Sequence, residues 1–283
     1  MSPLALALVL GAAVFHSTWN LALKSEPRRL EASLIALAAS VVLSAPVLLV
    51  HGLGEVSAGA WALVLLSGAF ETAYLLTLTA AYEAGDLSLV YPIARGSAPL
   101  VVVPLAALVL GERPSPSGLG GIALIVAGIL VTHAELFRSA ATAGARRAAA
   151  FAALTGVMIA GYSLVNKVGV GTVPVLLWAF LVQTLDALLL LLVLRARGRL
   201  EWPRAGAPRG RAAAIGVLML ASYLAVLTAL TLAPVSYVVA GREVSIVVSA
   251  LAGVLLLHER HSSRRIAGAV VIFAGLLVLA FSR

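Results

Sequence analysis

The feature that most constrains this chain is the recurrence of apolar runs of roughly 20 residues from one end to the other. A run of that length spans the hydrocarbon core of a bilayer as an α-helix, in which every backbone N–H and C=O is paired internally. Ten such runs can be read, at about 4–23, 30–50, 60–81, 87–110, 118–133, 148–170, 173–194, 212–232, 235–257 and 266–281. They leave almost no sequence for an extramembrane domain. The expected fold is an all-α integral membrane protein with ten transmembrane helices. Composition agrees, because 61% of the 283 residues are hydrophobic and only 11% are charged, whereas a soluble domain carries about a quarter charged residues. With no cysteine in the chain, disulfides, thiolate metal sites and cysteine nucleophiles are excluded. The first run has no basic segment before it and leads directly into Lys24, Arg28 and Arg29, so it reads as a span and not as a signal peptide.

A net charge of +8 would suggest nucleic acid in a soluble protein. Here it reads as topology. Loops alternate sides along ten crossings, and one side collects fifteen of the twenty Lys and Arg residues: Lys24, Arg28, Arg29, Arg138, Arg146, Arg147, Arg195, Arg197, Arg199, Arg204, Arg209, Arg211, Arg260, Arg264 and Arg265. The other side holds Arg113, Lys167 and Arg283. The positive-inside rule makes the basic side cytoplasmic and places both termini outside. The expected setting is a plasma (inner) membrane crossed many times, with no nucleic-acid partner.

The chain also repeats itself. At an offset of 147, Arg95 falls on Arg242, Glu112-Arg113 on Glu259-Arg260, Ser115 on Ser262, Gly121 on Gly268, and Ala127-Gly128 on Ala274-Gly275. At 146, Ser17 meets Ser163 and Asn20 meets Asn166. Two units follow, 1–135 and 146–283, each of five helices. Five is odd, so the halves cross in opposite directions, a 5+5 inverted-topology repeat. Such repeats put a site near the midplane where the halves meet and permit alternating access.

Three segments resemble the EamA family of the drug/metabolite transporter superfamily: Phe15-His16-Ser17-Thr18-Trp19-Asn20 with Lys24, Tyr91-Pro92-Ile93-Ala94-Arg95-Gly96, and Leu110-Gly111-Glu112-Arg113. The resemblance covers the full length as two tandem units. It implies a basket of ten helices around a central cavity and a secondary transporter exporting small metabolites, amino acids foremost. Small multidrug relatives carry a glutamate in the first helix, and the first run here has none. A broad-specificity drug or cation exporter is the nearest rival. A membrane-embedded enzyme or a scaffold is a more distant one.

Ionisable groups at membrane depth are costly and are functional hypotheses, although pairing can equally explain them. Arg95 shares a helical face with Tyr91 and Ser88. Its guanidinium suits a carboxylate through two parallel hydrogen bonds; the structural alternative is an ion pair with Glu71, or capping of carbonyls left by nearby prolines. Retention of Arg242 at the equivalent position favours the structural or gating role. Glu71, one turn from Tyr74 and Leu75, is either a proton-coupling carboxylate or the partner of Arg95. Asp186, with Gln183 on its face, reads as interhelical glue or substrate contact. His16, Trp19 and Asn20 line one face of the first run, and Tyr162 and Asn166 line one face of the sixth. The two faces suit the wall of an amphipathic cavity. Pro92, Pro99 and Pro104 put three breaks in the fourth run, read as a kinked, cavity-lining or gating helix. Gly121, Gly128, Gly268 and Gly275 read as close-packing surface, and Glu112 and Glu259 as caps for the next helix.

No Gly-rich loop ending in Gly-Lys-Ser/Thr is present, so no ATP-driven mechanism is visible. His258 and His261 are wrongly spaced for a helical zinc site, and no serine sits in a nucleophile-elbow pattern. No enzyme, metal or cofactor is expected. The expected partners are a small-molecule substrate and lipid, with a monomer admissible as the working unit.

Overall fold

A computed structural model describes residues 1–24, 26, 28–85, 87–132, 143–198, 209–248 and 263–282. Among them there is no strand. The helices are α1 (Pro3–Lys24), α2 (Arg29–Ser44), α3 (Ala58–Ala84), α4 (Leu87–Leu110), α5 (Pro116–Thr132), α6 (Ala143–Gly169), α7 (Val175–Ala196), α8 (Arg209–Leu232), α9 (Val235–Arg242) and α10 (Ser263–Phe281). Seven segments, in α1–α4 and α6–α8, are long and apolar enough to cross a membrane; α5 and α10 are shorter apolar helices. The sequence positions Arg138, Arg199, Arg204, the stretch 249–262 with Glu259 and its two histidines, and Arg283 lie outside the described residues.

Local chemistry explains where several helices stop. Ser57 accepts from the Ala60 amide at 3.2 Å and starts α3. Gly111 and Gly198 take φ of +67° and +63° just beyond α4 and α7, a left-handed conformation that costs glycine nothing. Beyond Ser44, α2 tightens at Ala45-Pro46 into a 3₁₀ turn, Ala45–Leu49.

Two differences from the sequence reading concern α4 and α9. Helix α4 runs unbroken through Pro92, Pro99 and Pro104. The interruption falls in α9, which ends at Arg242. There the amides of Glu243 and Val244 bond three residues back, to the Ala240 and Gly241 carbonyls. The ninth apolar run is therefore not one continuous α-helix. Hydropathy records the apolar character of a run and is blind to a change of hydrogen-bond spacing within it.

Packing is set by which helices bury a face against which. Helix α5 packs on α10, α3 on α6 and α7, α1 and α2 on α8, α2 on α7, and α4 on α6 and α9. The α5–α10 seam is reciprocal. A Cβ on Gly121 would stand 2.9 Å from the Gly275 carbonyl oxygen, and one on Gly275 would stand 2.8 Å from the Gly121 oxygen. Gly128 and Gly268 face each other in the same way, at 2.8 and 2.7 Å. Small residues thus let two backbones touch, where dispersion and packing replace a hydrophobic drive that lipid does not supply. The main core joins Val9, Ala98, Ile159, Trp178, Leu227 and Val238. A second one joins Ile125, Ile129, Tyr237, Ile272 and Leu276. Leu108, Val109, Leu192, Val270 and Phe281 point outward, as lipid-facing residues do.

Candidate functional site

The polar side chains in mid-helix positions gather into two clusters. In the first, α1, α4 and the end of α9 meet. Arg95 Nη1 lies 3.4 Å from Glu243 Oε1, and the two side chains are only 7% and 1% exposed. The other terminal nitrogen of Arg95 contacts His16 Nε2. His16 and Trp19, both buried, stand edge to face with centroids 4.8 Å apart. Ser17 closes the cluster by donating to the Ala13 and Ser245 carbonyls, at 2.8 and 3.0 Å. Two buried charges at such a depth are retained only when each satisfies the other.

The second cluster joins α3, α6, α7 and α8. Tyr223 donates to Glu71 Oε1 at 2.7 Å, and Asn166 Nδ2 donates to the same oxygen at 3.1 Å. Asn166 Oδ1 accepts from Ser67 Oγ at 2.7 Å and from Trp178 Nε1 at 2.8 Å. Next to Glu71 in α3, Thr72 donates to Asp186 at 2.6 Å. Tyr74 and Tyr162 stack edge to face beside it, 5.9 Å between centroids.

The Arg95–Glu71 ion pair, one alternative left open by the sequence, is therefore not formed. Arg95 pairs with Glu243 and His16, and Glu71 with Tyr223 and Asn166. Asp186 acts as interhelical glue, bonded to α3, while Gln183 Oε1 is buried without a partner. His16, Trp19, Tyr162 and Asn166 are buried, whereas Asn20, Glu71, Tyr74 and Arg242 keep part of their surface accessible. Asn20 bonds its own helix, Nδ2 to the His16 carbonyl at 2.8 Å. The side chains of Tyr91 and Pro92 lie outside the described residues. Glu243, Tyr223, Trp178, Ser67 and Thr72 had no place among the residues selected from sequence. A tyrosine in an apolar run needs a partner for its hydroxyl, and that signal alone could have marked Tyr223.

One end of the bundle is tied separately. Glu112 caps α9, not the adjacent α5: its carboxylate accepts from Val235 N at 2.6 Å, Ser236 N at 3.3 Å and Ser236 Oγ at 2.8 Å. The positive φ of Gly111 turns the chain out of α4 and delivers Glu112 there. Tyr237 Oη accepts from the Ser115 amide at 3.1 Å. Lys167 donates to the Leu230 and Ala233 carbonyls at the end of α8, at 2.6 and 3.0 Å. The N-terminal ammonium binds the Ala280 and Ser282 carbonyls, at 3.1 and 3.3 Å. A crevice of about 340 Å³ lies among these residues, away from both polar clusters. Among the described residues, no three His, Asp or Glu side chains gather as metal ligands.

An all-helical chain with several membrane-length spans, charged groups buried between them and an outward apolar surface is a polytopic membrane protein. Its sequence matches the EamA-like transporter family twice, over residues 3–133 and 146–281, and the chain belongs to that family. The two tandem matches agree with the two EamA units that the resemblance implied. A solved structure described only as the crystal structure of a protein shares the fold. Its TM-score is 0.78 at 20% identity, over 99% of this chain and 98% of that one. No protein of curated function matches the sequence.

Proposed function

We propose that the chain is a secondary transporter exporting small metabolites, amino acids foremost, by alternating access between two five-helix halves of opposed orientation. The observation that carries this is exchange symmetry. Swapping each helix for the one five places on turns the α1–α8 contact into α6–α3 and the α2–α8 contact into α7–α3. It also returns the α5–α10 glycine seam to itself. Such a symmetry relates two conformations of nearly equal energy, each half taking the arrangement of the other, with the polar clusters between them. A zwitterion suits a site that holds both arginine and carboxylate groups beside tyrosines. A single chain holds both clusters, so a monomer suffices, in a plasma membrane with both termini outside.

Counterflow in proteoliposomes, with labelled amino acids trapped inside and each of the twenty offered outside, tests the reading. Absence of exchange for all twenty would overturn it. Three carboxylates in mid-bundle positions, Glu71, Asp186 and Glu243, give the drug or cation exporter a specific observation in its favour. Asp186 and Glu243 are buried and engaged by Thr72 and Arg95, while Glu71, held by Tyr223 and Asn166, keeps part of its surface accessible. Tetraphenylphosphonium flux without amino acid flux would select that alternative. Orientation is read from Ser2→Cys and Arg197→Cys in this cysteine-free chain. An impermeant maleimide should label the first and spare the second on intact cells.

A further inference from the structure

The contact between α3 and α7 encloses an acid to which transport of a substrate gives no task. Asp186 stands at the middle of α7 and is 3% exposed. It accepts a hydrogen bond from Thr72 Oγ1 at 2.6 Å, and Thr72 is itself buried. Among the described residues, no cation forms an ion pair with it. An ionised carboxylate so placed would have a neutral hydroxyl as its compensation, which does not offset the loss of water; the group takes up a proton instead.

A second observation, on a different residue, calls for the same proton. Gln183 lies three residues before Asp186, on the same face of α7, a spacing at which Gln and Asp side chains meet and hydrogen-bond. Its Oε1 is enclosed and takes no hydrogen bond. A buried amide oxygen without a donor is a cost that needs a cause. An ionised Asp186 would only repel it. The O–H of a neutral Asp186 would satisfy it, so one proton removes both costs.

The neighbouring charges do not compete for this role. Helix α7 packs on α3, α2 and α8. Away from the helix ends, these bring Glu71 and Tyr74 from α3 and Tyr223 from α8. Arg29 and Glu31 of α2, Arg209 and Arg211 of α8, and Tyr82 and Glu83 of α3 lie in terminal turns. Glu71, adjacent to Thr72, has two donors on one oxygen and some exposure, which suit an ionised group. A negative Glu71 disfavours a second negative charge close by.

We propose that Asp186 is a proton-binding site of the transport cycle, neutral between Thr72 and Gln183 in this arrangement and deprotonated when α3 and α7 part. This rests on the alternating-access reading and deepens it. Thr72 belongs to the first half and Asp186 to the second, so their bond crosses the boundary that the halves must rearrange. The exchange-related contact, α2 on α8, is closed by Ser40 Oγ donating to the Gly216 carbonyl at 2.7 Å. The acid of α2 is Glu31, in its first turn, and α8 has none. The proton is therefore held in one arrangement and not in its mirror. On parting, the Asp186 O–H bond breaks, its electron pair stays on the carboxylate and the proton passes to water. Low pH then favours the arrangement described here, and high pH the exchanged one.

Asp186→Asn supplies the test, because an amide can accept from Thr72 and donate to Gln183 as the neutral acid does. The variant should fold with an unchanged melting temperature. Infrared difference spectra of purified protein at neutral pH should show a protonated-carboxyl C=O stretch in the wild type and in Glu71→Gln, and its loss in Asp186→Asn. In proteoliposomes exchanging labelled amino acids, a pH gradient should accelerate wild-type flux and leave Asp186→Asn flux unchanged. A spectrum that Asp186→Asn does not alter, wild-type flux indifferent to the gradient, or acceleration retained in the variant would each overturn the site while exchange keeps the transporter reading. No exchange of any amino acid by the wild type overturns both.

Discussion

Replacing Arg95 with glutamine strands the Glu243 carboxylate in a place that offers it little else. Glu243 is 1% exposed, and its Oε2 already lacks a partner. At 3.4 Å and an effective dielectric constant of about 20, the attraction lost is about 5 kcal/mol. Measured losses on breaking buried pairs run at about 3–5 kcal/mol, which is the expected destabilisation of Arg95→Gln. Glu243→Gln should cost a similar amount by stranding the guanidinium. The double variant, with two amides where there were two charges, should recover most of the loss, a coupling of at least about 2 kcal/mol. Arg95→Gln combined with Glu71→Gln should instead be additive within about 0.5 kcal/mol, because those residues share no bond. Unfolding of purified protein in mixed detergent micelles gives all four values. Recovery in the 95/71 double variant, with additivity in the 95/243 one, would refute the pairing and restore the Arg95–Glu71 alternative.

Three further outcomes follow from single contacts. Gly275→Leu puts a Cβ 2.8 Å from the Gly121 oxygen and the Ile125 nitrogen, backbone atoms that no rotamer change can move, so the yield of monodisperse protein should collapse; Gly120→Leu, with nothing within 4 Å, should leave it unchanged. Glu112→Ala removes the acceptor for two amides at the start of α9 and should cost about 1–2 kcal/mol of melting stability. It should also raise maleimide reactivity of a cysteine placed at Ser236. If Glu71 is the proton-coupling carboxylate, Glu71→Gln should abolish acceleration of flux by a pH gradient while still permitting gradient-free exchange. Full pH-driven flux in that variant would exclude Glu71 from that role.

How much of this was legible in the sequence depends on the range of the interaction. Helix α4 matched its apolar run at both ends, because its end is written locally in Gly111. The glycine seam was legible because seven-residue spacing repeats on one face whatever lies opposite. Partners were not legible. The sequence offered Arg95 only Glu71 as a carboxylate partner, whereas the packing of α4 on α9 brings Glu243 to it. Glu112 was read as capping its neighbour in sequence, whereas it reaches 123 residues along the chain.

What the repeat contributes is a means of reading departures from symmetry. Gene halves that start alike need to agree where they pack against each other, and Gly121, Gly128, Gly268 and Gly275 do agree, each meeting backbone of the other half. They need not agree where a ligand with two different ends must lie. Arg95 and Arg242 occupy equivalent positions, but the residues around them diverge, from Glu243 to Gly96 and from His16 to Tyr162. A perfectly symmetric pair of arginines would offer two like charges to a substrate whose ends are unlike. Locking Arg95 into a buried ion pair with Glu243 removes that degeneracy.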